Sequence, residues 1–229
     1  MASGPVSDIY VRPTVRTAVK LLIVGHFAVG KTTFVETLSE IPPLRTEERM
    51  TRAGALVDDL TGVRGKETTT VAMDFGRLTL TDSLCLYLFG APGQSRFLPL
   101  WRDMAYGALG ALILADTRRL EQSFAVMDLV EEHGLPYAVA VNRFDGAPDH
   151  PEAEVRDALD LLPRTPLVTC DARDRKSATR ALITLVEHLR DMSVTSHDPG
   201  DADEPRHERL TSRGPQPPTP PGHPHLESS

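Results

Sequence analysis

The stretch "LLIVGHFAVGKTT", residues 21–33, limits the possible folds of this chain more than any other segment. An apolar, strand-like run leads straight into G-x-x-x-x-G-K-[ST], with Gly25, Gly30, Lys31 and Thr32 at the fixed positions. The glycines let the backbone wrap closely round phosphate, so that successive N–H groups from Gly25, His26, Phe27, Ala28, Val29, Gly30, Lys31, Thr32 and Thr33 form an anion nest. The helix that starts there adds its positive end. Lys31 is expected to reach the β- and γ-phosphates, and the Thr32 hydroxyl to bind Mg²⁺. His26 reads as an exposed, variable position of the loop. A strand before and a helix after the motif require an α/β layer structure.

The rest of the chain supplies it. Buried strands are expected at 19–24, 70–80, 84–90, 108–116, 136–142 and 166–170, with "TDS" connecting the second and third. Helical patterns fall between them: one from Lys31, then 120–134 closed by Gly134, 151–162 opened by Pro151, and 174–192. Such alternation predicts a doubly wound, mostly parallel six-stranded sheet with one antiparallel edge strand and helices on both faces. The antiparallel pair at 70–90 would form that edge.

Residues 1–18 read as a flexible arm, 19–192 as the folded domain, and 193–229 as a disordered tail. The tail, with "PQPPTPPGHPH", has almost nothing to bury and cannot offset its own ordering entropy. The residues from Asp191 onward contribute −4 of the net charge of −7, and the balance gives no electrostatic case for nucleic acid. Cys85 and Cys170 sit in apolar runs and read as buried thiols of a reducing compartment. No signal peptide, no apolar run near the ~20 residues of a membrane span, and no lipidation box is visible. The expectation is a cytoplasmic protein, with any membrane recruitment left to partners.

A phosphate loop leaves the base open. After the strand at 136–142 comes "NRFD", where Asn142 and Asp145 could simply cap a turn. At the carboxyl edge of a doubly wound sheet, however, this is where a ligand is read. An Asp carboxylate accepts two hydrogen bonds from guanine N1–H and its 2-amino group. Adenine offers neither, so the unpaired carboxylate rejects it. Asp116, just after a strand, reads as a helix cap.

In motif order and content, residues 19–190 resemble the Ras-like small GTPases. "GHFAVGKT" looks like the first motif, "TTTVAMDF" like the switch I threonine and its strand, "GAPGQ" (90–94) like switch II, "NRFD" like the base motif and "CDAR" (170–173) like the last base-contacting loop. Within that superfamily "LYLFGAPGQSRF" and "ADTRRL" resemble the small GTPases of actinobacterial conservon operons, relatives of the gliding-motility polarity GTPases. The resemblance implies Mg²⁺ held by Thr32 and Thr70, with Thr68 and Thr69 as rivals for the switch I position. It implies a Gly93 N–H on the γ-phosphate and a Gln94 that orients water beside the Lys31 cation. Asn142, Arg143, Asp145, Asp171, Ala172 and Arg173 would surround the base. GTP and GDP would be substrate and product, and roadblock-type and sensor-kinase-like proteins the partners.

The departures are specific. Gly90 stands where most Ras-like proteins have an Asp that supports Mg²⁺, Pro92 removes a backbone donor, and Arg143 replaces a Lys. The gap from Lys31 to Thr70 is longer than usual, with "EERMTRAGALVDDLTGVRGKE" unassigned at its centre. No arginine finger is assigned: Arg52, Arg64 and Arg96 all fall in switch segments, and a partner is the other source. The reading is a GTP-binding switch that hydrolyses slowly. The rivals are a binding module without hydrolysis and an ATP-dependent enzyme sharing only the phosphate loop. Phe97, Leu98, Leu100, Trp101 and Tyr106 either pack a helix into the core or form a docking patch.

Overall fold

The structure is a computed structural model and describes residues 11, 13–42, 44–51, 68–91 and 98–195. All six expected strands are present: β1 (Thr17–Val24), β3 (Thr68–Thr81), β4 (Leu84–Gly90), β5 (Ala108–Ala115), β6 (Tyr137–Asn142) and β7 (Leu167–Cys170). A seventh, β2 (Leu44–Thr51), lies outside β3, giving the order β2-β3-β4-β1-β5-β6-β7. It comes from the length that the sequence reading left unassigned. "LRTEERMT" has no apolar alternation to announce a strand, as suits a charged outer strand that needs no second partner. β2, β3 and β4 pair antiparallel, and β4, β1, β5, β6 and β7 pair parallel.

Side-chain alternation along the central strands divides the core into two. Leu22, Val24, Ala111, Ile113, Val139 and Val141 face one side, where Trp101 and Met104 of α2 (Leu98–Ala105) and Val126 and Val130 of α3 (Phe124–Glu132) cover them. Leu21, Ile23, Leu112, Leu114, Ala138 and Ala140 face the other, under Phe34 and Leu38 of α1 (Lys31–Leu38) and Leu182 and Leu185 of α5 (Arg175–Thr195). Period 2 on the strands and about 3.6 on the helices produce both layers from one sequence pattern.

Trp101 is fully buried and its ring lies 5.9 Å from that of His133, so it is a core residue and not part of an exposed docking patch. Phe97 and the side chains of Leu98 and Leu100 fall outside the described residues, while Tyr106 is 85% exposed. Cys85 and Cys170 are buried, free thiols, and burial pushes that of Cys170 up to about 12. The expected helix at 151–162 is shorter, α4 (Glu152–Ala158), because the backbone turns left-handed at Asp160, φ 50°. Among the described residues no helix is long and apolar enough to cross a membrane.

Candidate nucleotide-binding site

The phosphate loop runs from the buried end of β1 to the start of α1, as the motif requires. Its two glycines are there for space as well as for conformation. A Cβ on Gly25 (φ 148°) would meet the Leu114 carbonyl oxygen at 2.6 Å, and one on Gly30 (φ 105°) would meet Asn142 Nδ2 at 2.6 Å. Between them Ala28 takes φ 63°, a left-handed conformation that costs an alanine energy and is retained where a ligand cradle needs it. Phe27 projects outward, 74% exposed.

Lys31 Nζ donates to the carbonyls of Gly25 (2.9 Å) and His26 (2.8 Å), folding the ammonium across the mouth of the loop. Burial pushes its pKa down to about 8, against the opposing pull of the Asp74 carboxylate. A phosphate anion brought here would meet a cation already stripped of much of its water. The next residue, Thr32, donates its hydroxyl to Asp74 Oδ2 at 2.5 Å.

His26 corrects the sequence reading. It is only 5% exposed, because the loop turns it inward and not toward solvent. Nδ1 lies 2.7 Å from the Phe27 carbonyl, which can only accept, so Nδ1 carries the proton. Nε2 is buried without a hydrogen-bond partner among the described residues. Burial lowers the pKa of the ring and keeps it neutral.

The question of Asn142 is answered by its side chain, which caps no turn of its own. Nδ2 donates to the Val29 carbonyl at 2.9 Å, and Oδ1 accepts from the Ala172 N–H at 2.9 Å. One buried amide thus ties the phosphate loop to the 170–173 loop. Arg143 follows with its N–H on the Cys170 carbonyl (2.8 Å) and its guanidinium 3.6 Å from Asp149. Asp145 stands in solvent, its side chain 88% exposed, and both its oxygens accept from Arg173 (3.0 and 3.2 Å). Arg173 also binds Asp171, and its hydrogen bonds hold both carboxyls below the usual range. A planar guanidinium spanning two acceptors occupies the carboxylate as the edge of guanine would.

A brace lies behind this loop. Asp116 caps the 3₁₀ segment Thr117–Ser123 by accepting from the Arg118 N–H, as expected. Burial alone would raise its carboxyl, but the Arg118 hydrogen bonds hold it low. The same guanidinium stacks 4.1 Å over Phe144, and Thr117 donates to the Pro148 carbonyl. Phe144 and Arg118 are site-shaping residues that sequence reasoning passed over; nothing local links positions so far apart.

Asp74 was also missed. It is 8% exposed, on β3, and pairs in register with Gly90 on β4. Thr70, Thr68 and Thr69 lie on the same strand, with Thr70 opposite Arg49, but nothing is described of their side chains. Gly93, Gln94, Arg52, Arg64 and Arg96 lie outside the described residues. The described groups fit a nucleotide's magnesium, which keeps few protein ligands and takes the rest from phosphate and water. Thr32 would hold it, with Thr70 as the expected second hydroxyl, and the ion would neutralise phosphate charge.

A phosphate loop at the carboxyl edge of β1, with a second loop clamped to it from β6, defines a phosphate-loop nucleotide-binding domain. Its fold is that of the GTP-binding G domains. The chain is similar to the cytosolic domain of the T. maritima FeoB iron transporter in its apo form (TM-score 0.55, 18% identity, covering 76% of this chain and 65% of that one). It is similar also to the FeoB G domain from Methanococcus jannaschii (0.50, 13%, 76% and 99%). Elongation factor SelB from Methanococcus maripaludis, in complex with the GTP analogue GppNHp, aligns at TM-score 0.49 and 18% identity, over 76% of this chain and 34% of that one. This chain therefore spans about a third of SelB. No curated protein matches the sequence. The chain belongs to the family described as conserved hypothetical ATP binding proteins, whose model matches residues 23–192.

Proposed function

We propose that this chain is a guanine-nucleotide switch that binds GTP with Mg²⁺ and hydrolyses it slowly to GDP. The observation that carries the reading is the Asn142 clamp. By holding the phosphate loop and the 170–173 loop on one amide, it sets Asp145 at a fixed reach from the phosphates. A carboxylate there favours guanine, which presents two donors, over adenine, which presents none. Lys31 would bind the β- and γ-phosphates, and Thr32 the metal. Gly93 would donate to the γ-phosphate and Gln94 would orient the attacking water; slow turnover follows if no arginine finger is supplied. Phe144, Arg118 and Asp116 would keep the base loop in register.

By its resemblance the chain is a conservon-type GTPase, cytoplasmic, and read by roadblock-type and sensor-kinase-like partners, which could recruit it to a membrane. The folded domain would comprise residues 19–192, between an arm and an acidic, Pro-rich tail.

The family description, which says ATP, favours a second reading as an ATP-binding protein. Competition decides between them. Labelled GDP bound to the full chain should be displaced by GTP at stoichiometric concentrations and not by a hundredfold excess of ATP. Displacement by ATP alone would overturn the guanine reading. With GTP bound, absence of phosphate release in a single turnover would reduce the protein to a binding module.

A further inference from the structure

We propose that Arg173 is a built-in competitor of the guanine base: in the empty site its guanidinium holds Asp145, and a nucleotide binds by displacing it. The inference rests on the reading of Asp145 as the base-reading carboxylate, and adds what limits the base's access to it.

The guanidinium is held on two edges at once. Nη1 donates to Asp145 Oδ2 at 3.0 Å and Nη2 to Oδ1 at 3.2 Å, so the end of the group spans both oxygens of that carboxylate. Its side edge belongs to Asp171, with Nε 3.0 Å from Oδ1 and Nη2 3.0 Å from Oδ2. The Arg173 backbone N–H also donates to Asp171 Oδ1 at 2.9 Å, which fixes the root of the side chain as well as its tip.

The likeness to the ligand is chemical. In guanine, N1, C2, the 2-amino group and N3 form a guanidine unit. The edge that Asp145 would read is therefore an N–H beside an NH₂ on one carbon. Arg173 presents the same two parallel donors, with a full positive charge added. A carboxylate that accepts on both oxygens from one cannot accept in that way from the other. Asp171 lets the arginine go: its fork on the Nε–Nη2 edge does not need Asp145, so release leaves the guanidinium paired. Both partners face water, Arg173 being 55% and Asp145 88% exposed, so the hold is slight and screened by salt. Only molecules with Asp145 free can take the base, and a pair of this kind should slow its entry by about 2- to 5-fold.

The test is association of a fluorescent GDP analogue with the nucleotide-free full chain. Arg173→Met keeps the apolar stem and loses every donor. It should bind about 2- to 5-fold faster than the wild type at low salt, and the two should converge near ~1 M salt, where screening opens the fork. Asp145→Asn has no carboxylate for Arg173 to hold. In that background Arg173→Met should leave association of the xanthosine diphosphate analogue unchanged. Carbon-13 NMR of the empty protein reads the contact itself. The Asp145 carboxyl, which the Arg173 hydrogen bonds hold below the ordinary carboxylate range, should return to that range in Arg173→Met.

An association rate in Arg173→Met no higher than that of the wild type at low salt would overturn the proposal. So would an equal acceleration in the Asp145→Asn background, which would trace the effect to charge or bulk near the site. An Asp145 carboxyl unmoved by Arg173→Met would remove the contact on which the competition depends. Failure of the underlying reading looks different: Asp145 would respond in the NMR as expected while the wild type bound no GDP, which refutes the base reading and the competition with it.

Discussion

Asn142→Ala is the substitution whose outcome the structure fixes most tightly. The residue is 4% exposed, and its amide serves two backbone groups that are themselves buried, the carbonyl of Val29 and the N–H of Ala172. Truncation removes both hydrogen bonds and strands both groups. Each orphaned group costs about 1–3 kcal/mol, so the pair should cost about 3–4 kcal/mol after partial relaxation. In a domain of this size that is a fall of about 6–16 °C in the unfolding midpoint, at roughly 2–4 °C per kcal/mol. Asn142→Asp is the companion variant. It keeps an acceptor for Ala172 but turns a carboxylate oxygen on the Val29 carbonyl, and should fare no better. Urea unfolding of the nucleotide-free protein gives the stability, and GDP titration of the same samples the coupling, since a loop freed at Val29 should also hold phosphate less well. A loss below about 1 kcal/mol, the worth of one ordinary hydrogen bond, would refute the clamp as the element that joins the two loops.

Three further outcomes are expected. Lys31, with its pKa near 8, carries the full cost of a buried ammonium below that pH, and the cost is relieved as pH rises from about 8 toward the ordinary lysine value. Phosphate would restore the proton, so GDP binding above pH 8 should take up one proton and weaken by about tenfold per pH unit, with Lys31→Arg abolishing that slope. Calorimetry at pH 9 in buffers of different ionisation enthalpy reads the uptake directly, and zero uptake would contradict the assignment. Asp145→Asn should give up much of the ~10⁴-fold guanine discrimination that a hydrogen-bonded site can supply and move preference to xanthine nucleotides; a variant still preferring GTP to XTP would exclude Asp145 from base reading. Trp101 emission should be that of a buried indole, equal in the GDP and GppNHp forms and changed only by unfolding. A nucleotide-dependent spectrum would show that the core around α2 moves.

The sequence alone determined whatever depends on neighbours along the chain. The phosphate loop was legible because its glycines, Lys31 and Thr32 occur together, after an apolar run that can only be a buried strand. The alternation of strands and helices was legible because burial imposes its period locally. The Asp116 cap was legible because capping acts across two residues. Asn142 and Asp145 were found as a pattern, yet their division of labour was not, since the partners of Asn142 lie far away at Val29 and Ala172. β2 was hidden because a charged outer strand shows no apolar period. His26 was read as exposed because only the turn of the loop decides which way a ring points. Above all, the tertiary structure decided the meaning of Gly90. On the chain it has no visible partner; in the sheet, antiparallel register sets Asp74 across from it, where a Cβ on Gly90 would meet the Asp74 side chain at 3.0 Å, a neighbour that only strands lying side by side can supply.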